Sequence, residues 1–172
     1  MRRRQFLRAL PLAGVVATAG CTSGRVTPTE VETGDREIKM TLSDGEHYFD
    51  PVGLAVEPGE TVTWVNERGS HSTVSYSDDS GKKVAERRIP DGATGWNSGI
   101  VHEAGETVAR PFEVEGTYDY FCDSHDKYGM VGRIVVGDPG GPADDQFPPS
   151  GTVPAAGRIV EAGSVSFAEF DG

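Results

Sequence analysis

Cysteine is almost missing from this chain: its 172 residues hold two, Cys21 and Cys122. Two thiols cannot build a disulfide framework, and Cys21 closes an N-terminal segment with the composition of an export signal. Methionine is as scarce, with only Met40 and Met130 beyond the initiator. That excludes a thioether-rich metal store. The four His residues, His47, His71, His102 and His125, leave no second imidazole cluster. No acid/base pair is visible either, so an enzyme is not expected. Lysine is confined to Lys39, Lys82, Lys83 and Lys127, and 27 Asp and Glu face 16 Lys and Arg. The net charge of −11 repels phosphate and argues against a nucleic-acid partner. Apolar runs are short; the one before Cys21 is too short to span a bilayer.

The ends of the chain differ from its middle. The first twenty residues carry four Arg and no acid, and without them the charge moves from −11 to −15. A basic head, a short apolar stretch and small residues read as an export segment over 1–20. Arg3-Arg4-Gln-Phe-Leu7 resembles a twin-arginine signal. Thr18-Ala-Gly-Cys21 resembles a lipoprotein processing site, with Cys21 as the point of lipid attachment. That places the product on the outer face of the membrane; cleavage without lipid would release it. Residues 21–36 read as a flexible polar tether. Residues 138–172 read as a flexible extension, a Pro/Gly-rich linker and then a tail with no visible chemistry, within which Arg158-Ile-Val and Val165-Ser-Phe offer two short strands able to fold back onto the body.

Between these ends, 37–137 reads as one all-β domain. Short β runs cover Glu37–Leu42, Phe49–Val56, Thr61–Asn66, Ser72–Tyr76, Val108–Val114, Thr117–Cys122 and Val131–Val136. Such spacing predicts a sandwich or barrel. The two-residue period puts Tyr118, Tyr120 and Cys122 on the inner face and turns Phe121 outward. Lys82–Ile89 is the one basic cluster and reads as a short solvated helix. His47 and His102 lie in no motif and are expected at the surface.

The chemistry concentrates in Tyr-Phe-Cys122-Asp-Ser-His125-Asp-Lys-Tyr-Gly-Met130 and in His71 upstream. A thiolate, two imidazoles and a thioether are the donor set of a blue-copper electron-transfer site. Cys122 and His125, three apart on a tight loop, can face one point, and Gly129 allows the turn that brings Met130 in. A buried free Cys, two surface His and a core Met would be the plainer reading of each residue alone.

Thr61-Val-Thr-Trp-Val-Asn66, His71, Asn97-Ser-Gly-Ile100, Gly116-Thr-Tyr-Asp-Tyr-Phe-Cys122, His125 and Gly129-Met-Val-Gly-Arg-Ile-Val-Val136 together resemble the plastocyanin-like blue copper proteins. Among these the halocyanins of halophilic archaea are similar. The resemblance covers 37–137 and implies a cupredoxin-like Greek-key β-sandwich of about eight strands. It implies one type 1 copper ion, with His71, Cys122 and His125 as strong ligands and Met130 as the axial one. It implies a monomeric one-electron shuttle between redox proteins of a membrane chain, with His125 near the surface and the aromatic at Phe121 beside a second electron port. A copper carrier or store without a shuttle role is the alternative. Two positions depart from the family's pattern: Ser124 replaces a common Pro, and Ser72 an Asn that can tie the two ligand loops together.

Overall fold

The computed structural model describes residues 36–144 and 146–170. The expected export segment, the lipid site at Cys21 and the tether up to residue 35 lie outside the described residues.

Among the described residues nine strands form two sheets. In the first, β1 (Glu37–Ser43) lies between β2 (Glu46–Asp50) and β4 (Thr61–Asn66), and β6 (Thr107–Pro111) completes the order β2-β1-β4-β6. In the second, β5 (Val74–Ser75), β7 (Gly116–Phe121), β8 (Val131–Val136), β3 (Gly53–Val56) and β9 (Ser164–Val165) follow in that order. β1 runs parallel to β4 and β3 parallel to β8. Two packed sheets with crossover connections match the expected sandwich.

Local chemistry explains the edges of these elements. Asp44 and Gly45 both have positive φ, 53° and 91°, as a two-residue type I′ hairpin demands. That turn fixes the β1–β2 register and sets His47 opposite Leu42. The single run expected over Phe49–Val56 is two strands, one in each sheet, separated at Pro51. Proline cannot donate to a ladder, so the chain changes sheet there. Between the sheets, Trp64, Tyr118, Tyr120, Phe49, Ile38 and Ile134 form one buried cluster that also contains Cys122 and Met130.

Three further expectations are corrected. Lys82–Ile89 forms no helix. Arg88, only 1% exposed, is drawn inward to Asp119, and Arg87 is held by the Ser77 hydroxyl and the carbonyls of Pro90 and Ala93. A buried charge must follow its counter-charge, which overrides any helical preference here. Phe121 does not face solvent: Tyr76, Val131 and Val153 cover it. The C-terminal extension folds back onto the body, as its two short segments suggested, and over its described residues it is packed where a flexible extension was expected. Arg158-Ile-Val lies in helix α1 (Ala156–Ala162), β9 pairs antiparallel with β3, and Phe167 of α2 (Phe167–Phe170) stacks on Tyr48. Ile159 fills the space over Gly53, where a Cβ would lie 2.7 Å from its side chain. Apolar residues at 153, 156, 159 and 165 give the tail a buried face that its Pro/Gly-rich start obscured.

Candidate metal centre

β7 carries the alternation Tyr118, Tyr120, Cys122 into the core, and all three are buried as expected. The loop after it is closed by backbone bonds. The His125 N–H donates to the Cys122 carbonyl (3.0 Å), the Met130 N–H to the His125 carbonyl (3.2 Å), and the Cys122 N–H to the Met130 carbonyl (3.0 Å). This ring ties three of the sequence-predicted residues together through main chain alone. Gly129, at φ 87°, supplies the left-handed turn before Met130.

His71 arrives on the connection between β4 of the first sheet and β5 of the second. It pairs with Val101 as an isolated antiparallel bridge and is fully buried. Its Nε2–H donates to the Arg68 carbonyl at 2.9 Å, which leaves Nδ1 as the bare nitrogen. Gly69 is needed for that approach: a Cβ there would stand 2.8 Å from His71 Nε2.

The two imidazoles meet the sulfur. His71 Nδ1 lies 3.9 Å and His125 Nδ1 3.4 Å from Cys122 Sγ. In a trigonal plane, metal–nitrogen and metal–sulfur bonds of first-row length separate N and S by about 3.8 Å. The two observed spacings bracket that value, so the donors fit one ion. Met130, fully buried in the same cluster as Cys122, has its main chain fixed by the loop.

The sulfur sits among donors. The Ser72 N–H points at it from 3.4 Å, and the Ser124 hydroxyl lies 3.4 Å away. Burial pushes the Cys122 thiol up. Hydrogen bonds from the Ser124 hydroxyl, the Ser72 N–H, His125 and the Ser124 N–H outweigh it, and the thiol ends below its ordinary range. Ser72 also links the loops: its hydroxyl accepts the Asp123 N–H at 3.0 Å. The serine thus performs the tie that the resemblance put in question. Burial lowers His71 despite the opposing Arg68 carbonyl, which favours the neutral ligating form.

One nearby histidine was not expected. His47 is half-buried, with its ring stacked on His125 at 3.6 Å and 9°, and edge-on to His71 at 5.4 Å. No sequence motif marks it; the Asp44-Gly45 turn and the register it imposes were the available signal. His102 is exposed as expected, with Nδ1 3.1 Å from the Ser70 hydroxyl.

A thiol and two imidazoles converging at one end of a two-sheet sandwich define a copper-binding β-sandwich protein. The model of the copper binding proteins of the plastocyanin/azurin family matches residues 36–137, and the chain belongs to that family. Its members are electron-transfer proteins, and copper is the cofactor. A plastocyanin from Scenedesmus fuscus is 33% identical over 107 residues, 59% of this chain and 99% of that one. The halocyanin of Natronomonas pharaonis is 31% identical over 109 residues, 61% of this chain and 59% of that one. The pseudoazurin of Methylobacterium extorquens AM1 shares the fold, with a TM-score of 0.53 and 23% identity over 74% of this chain and 94% of that one. The described C-terminal extension lies beyond the family match.

Proposed function

We propose that this chain is a halocyanin-like mobile carrier of single electrons. His71, Cys122 and His125 would hold one type 1 copper ion, with Met130 as the weaker fourth ligand. When bound, copper supplies a one-electron couple between Cu(I) and Cu(II). The carrying observation is the approach of two Nδ1 atoms to one buried sulfur, at 3.4 and 3.9 Å. The residues do the rest. Backbone bonds fix the loop, Arg68 sets the His71 tautomer, and the aromatic core excludes water from the sulfur. His125, half-buried and lining an open cleft, is the side chain through which an electron leaves. A delivery or storage protein would present its thiolate to an acceptor; Cys122 is 0% exposed.

In this reading residues 1–20 export the chain and Cys21 carries lipid. The monomeric carrier then works on the outer membrane face between a redox donor and a redox acceptor. The acidic surface suits life in high salt. The direct test is to load purified mature protein with copper. It should bind one ion per chain, turn intensely blue, bleach on reduction and recover on oxidation. A colourless product, or zinc in natively matured material, would end this reading.

Ser124 gives a second prediction. Ser124→Pro removes both the N–H and the hydroxyl that face the Cys122 sulfur. A thiolate relieved of donors favours Cu(II), so the potential should fall. One hydrogen bond of about 1 kcal/mol corresponds to a few tens of millivolts for one electron. Redox titration of the loaded variant measures it, and an unchanged or higher potential refutes the role.

A further inference from the structure

We propose that His47 is a capture ligand: with His71 and His125 it forms a three-imidazole position that receives Cu2+ before the ion reaches Cys122. The inference rests on the copper-ligand reading given above and adds a residue and a step to it.

Three observations carry it. The first is convergence. One ligand atom from each of His47, His71 and His125 lies within 4.8 Å of the others. Imidazole nitrogens on one tetrahedral first-row cation stand roughly 3.4 Å apart. Closing the triangle therefore needs shifts of up to about 1.4 Å at the widest edge and a turn of the His47 ring out of its parallel stack on His125, because stacked rings aim their lone pairs along separate planes. His47 can supply them, because it sits near the tip of the β1–β2 hairpin and is only half-buried.

The second is an unmet nitrogen. His47 Nδ1 is buried and has no hydrogen-bond partner among the described residues. Leaving such an atom unpaired costs about 1–3 kcal/mol. A side chain kept in that position, stacked face to face on a candidate ligand, points to a partner that the polypeptide does not supply. His71 is different, since its second nitrogen is already bonded to the Arg68 carbonyl.

The third is the order of access. A cleft of about 790 Å³ opens beside the centre, bounded by the hairpin, the ligand loop and the C-terminal extension. His47 and His125 line it; His71 and Cys122 do not, and both are fully buried. An ion arriving by this route meets His47 and His125 first. The sulfur lies behind them.

Transfer inward is a ligand exchange. The bond from Cu2+ to His47 breaks, the bond from Cu2+ to Cys122 Sγ forms, and the thiol proton leaves to solvent. No electron moves, and the ion remains Cu2+ throughout.

The test uses His47→Phe, which keeps a stacking ring and removes both nitrogens. Full-length apo protein is mixed rapidly with one equivalent of Cu2+ while the growth of the blue band is followed. The variant should colour at least about tenfold more slowly than wild type, the factor by which loss of a metal-site partner commonly lowers affinity or activity. Its finished band should match wild type in position. In a Cys122→Ser background, His47→Phe should also weaken Co2+ binding by about tenfold, read by absorbance titration. Equal uptake rates, with equal Co2+ affinities, overturn the proposal. So does a shifted final band, which would make His47 a ligand of the finished centre. A wild type that never turns blue would instead bring down the ligand reading on which the proposal stands.

Discussion

Cys122→Ser should abolish the blue colour of the copper-loaded protein while leaving the fold in place. The intense band needs a thiolate on copper, and Cys122 is the only cysteine among the described residues. Serine is nearly isosteric and can still face the Ser72 N–H and the Ser124 hydroxyl, so the pocket keeps its hydrogen bonds. Unfolding should therefore shift by no more than the 0.5–3 kcal/mol of an ordinary substitution, roughly. Copper affinity should drop by more than the 10–100-fold, roughly, that loss of an outer partner costs, because a direct donor is gone. Absorbance, metal analysis and urea unfolding on one preparation separate the outcomes. A variant that folds, binds copper and stays blue sinks the assignment of Cys122. One that fails to fold calls for Cys122→Ala, where the same colour loss is expected without a buried hydroxyl.

The loop that carries the candidate ligands was legible because it is local. Cys122, His125 and Met130 are close in sequence, and their backbone bonds close on one another. Spacing and donor chemistry alone could place them. His71 needed the family's pattern, since its arrival depends on pairing with Val101 thirty residues on. His47 was missed for a different reason. Its place beside His125 follows from hairpin register and from the packing of one sheet over the other, and period-2 alternation shows neither. Phe121 lies on the face opposite Cys122, as alternation predicts, but that face is covered and not solvated. The alternation is a statement about faces; Tyr76 and Val153 decide what covers that face. Arg88 hid inside a basic run because a charge pattern reads as solvated until its buried partner is known. That partner, Asp119, sits in a strand whose other residues gave no sign of a buried ion.

Asp119→Asn should be the most destabilising of these changes, by about 3–5 kcal/mol. Asp119 is fully buried and accepts from the Arg133 Nε–H at 2.7 Å, from Arg133 Nη2 at 3.0 Å and from the Arg88 Nε–H at 2.8 Å. Both guanidiniums are buried too, at 1% and 2% exposure. Buried ion clusters are weak evidence of net stability, since their desolvation costs about as much as their attraction returns. Removing one member is another matter. Asparagine keeps the shape but cannot neutralise two guanidiniums; Arg88 retains only the partly exposed Glu86, 2.7 Å from its Nη1, and Arg133 is left with neutral carbonyls. The same guanidiniums donate to main-chain carbonyls of the C-terminal extension: Arg133 to Ala143 at 2.7 Å, to Gln146 at 2.8 Å and to Pro154 at 3.2 Å, and Arg88 to Ala143 and Gln146. If they turn outward to find water, the extension loses its clamps. Urea unfolding should therefore show the stability loss, and limited proteolysis should cut first between 138 and 154. Arg88→Met is the control: Asp119 keeps its two-pronged bond to Arg133, so the loss should be clearly smaller. A variant within about 1 kcal/mol of wild type, with an uncut extension, would mean that the triad neither stabilises the sandwich nor holds the tail.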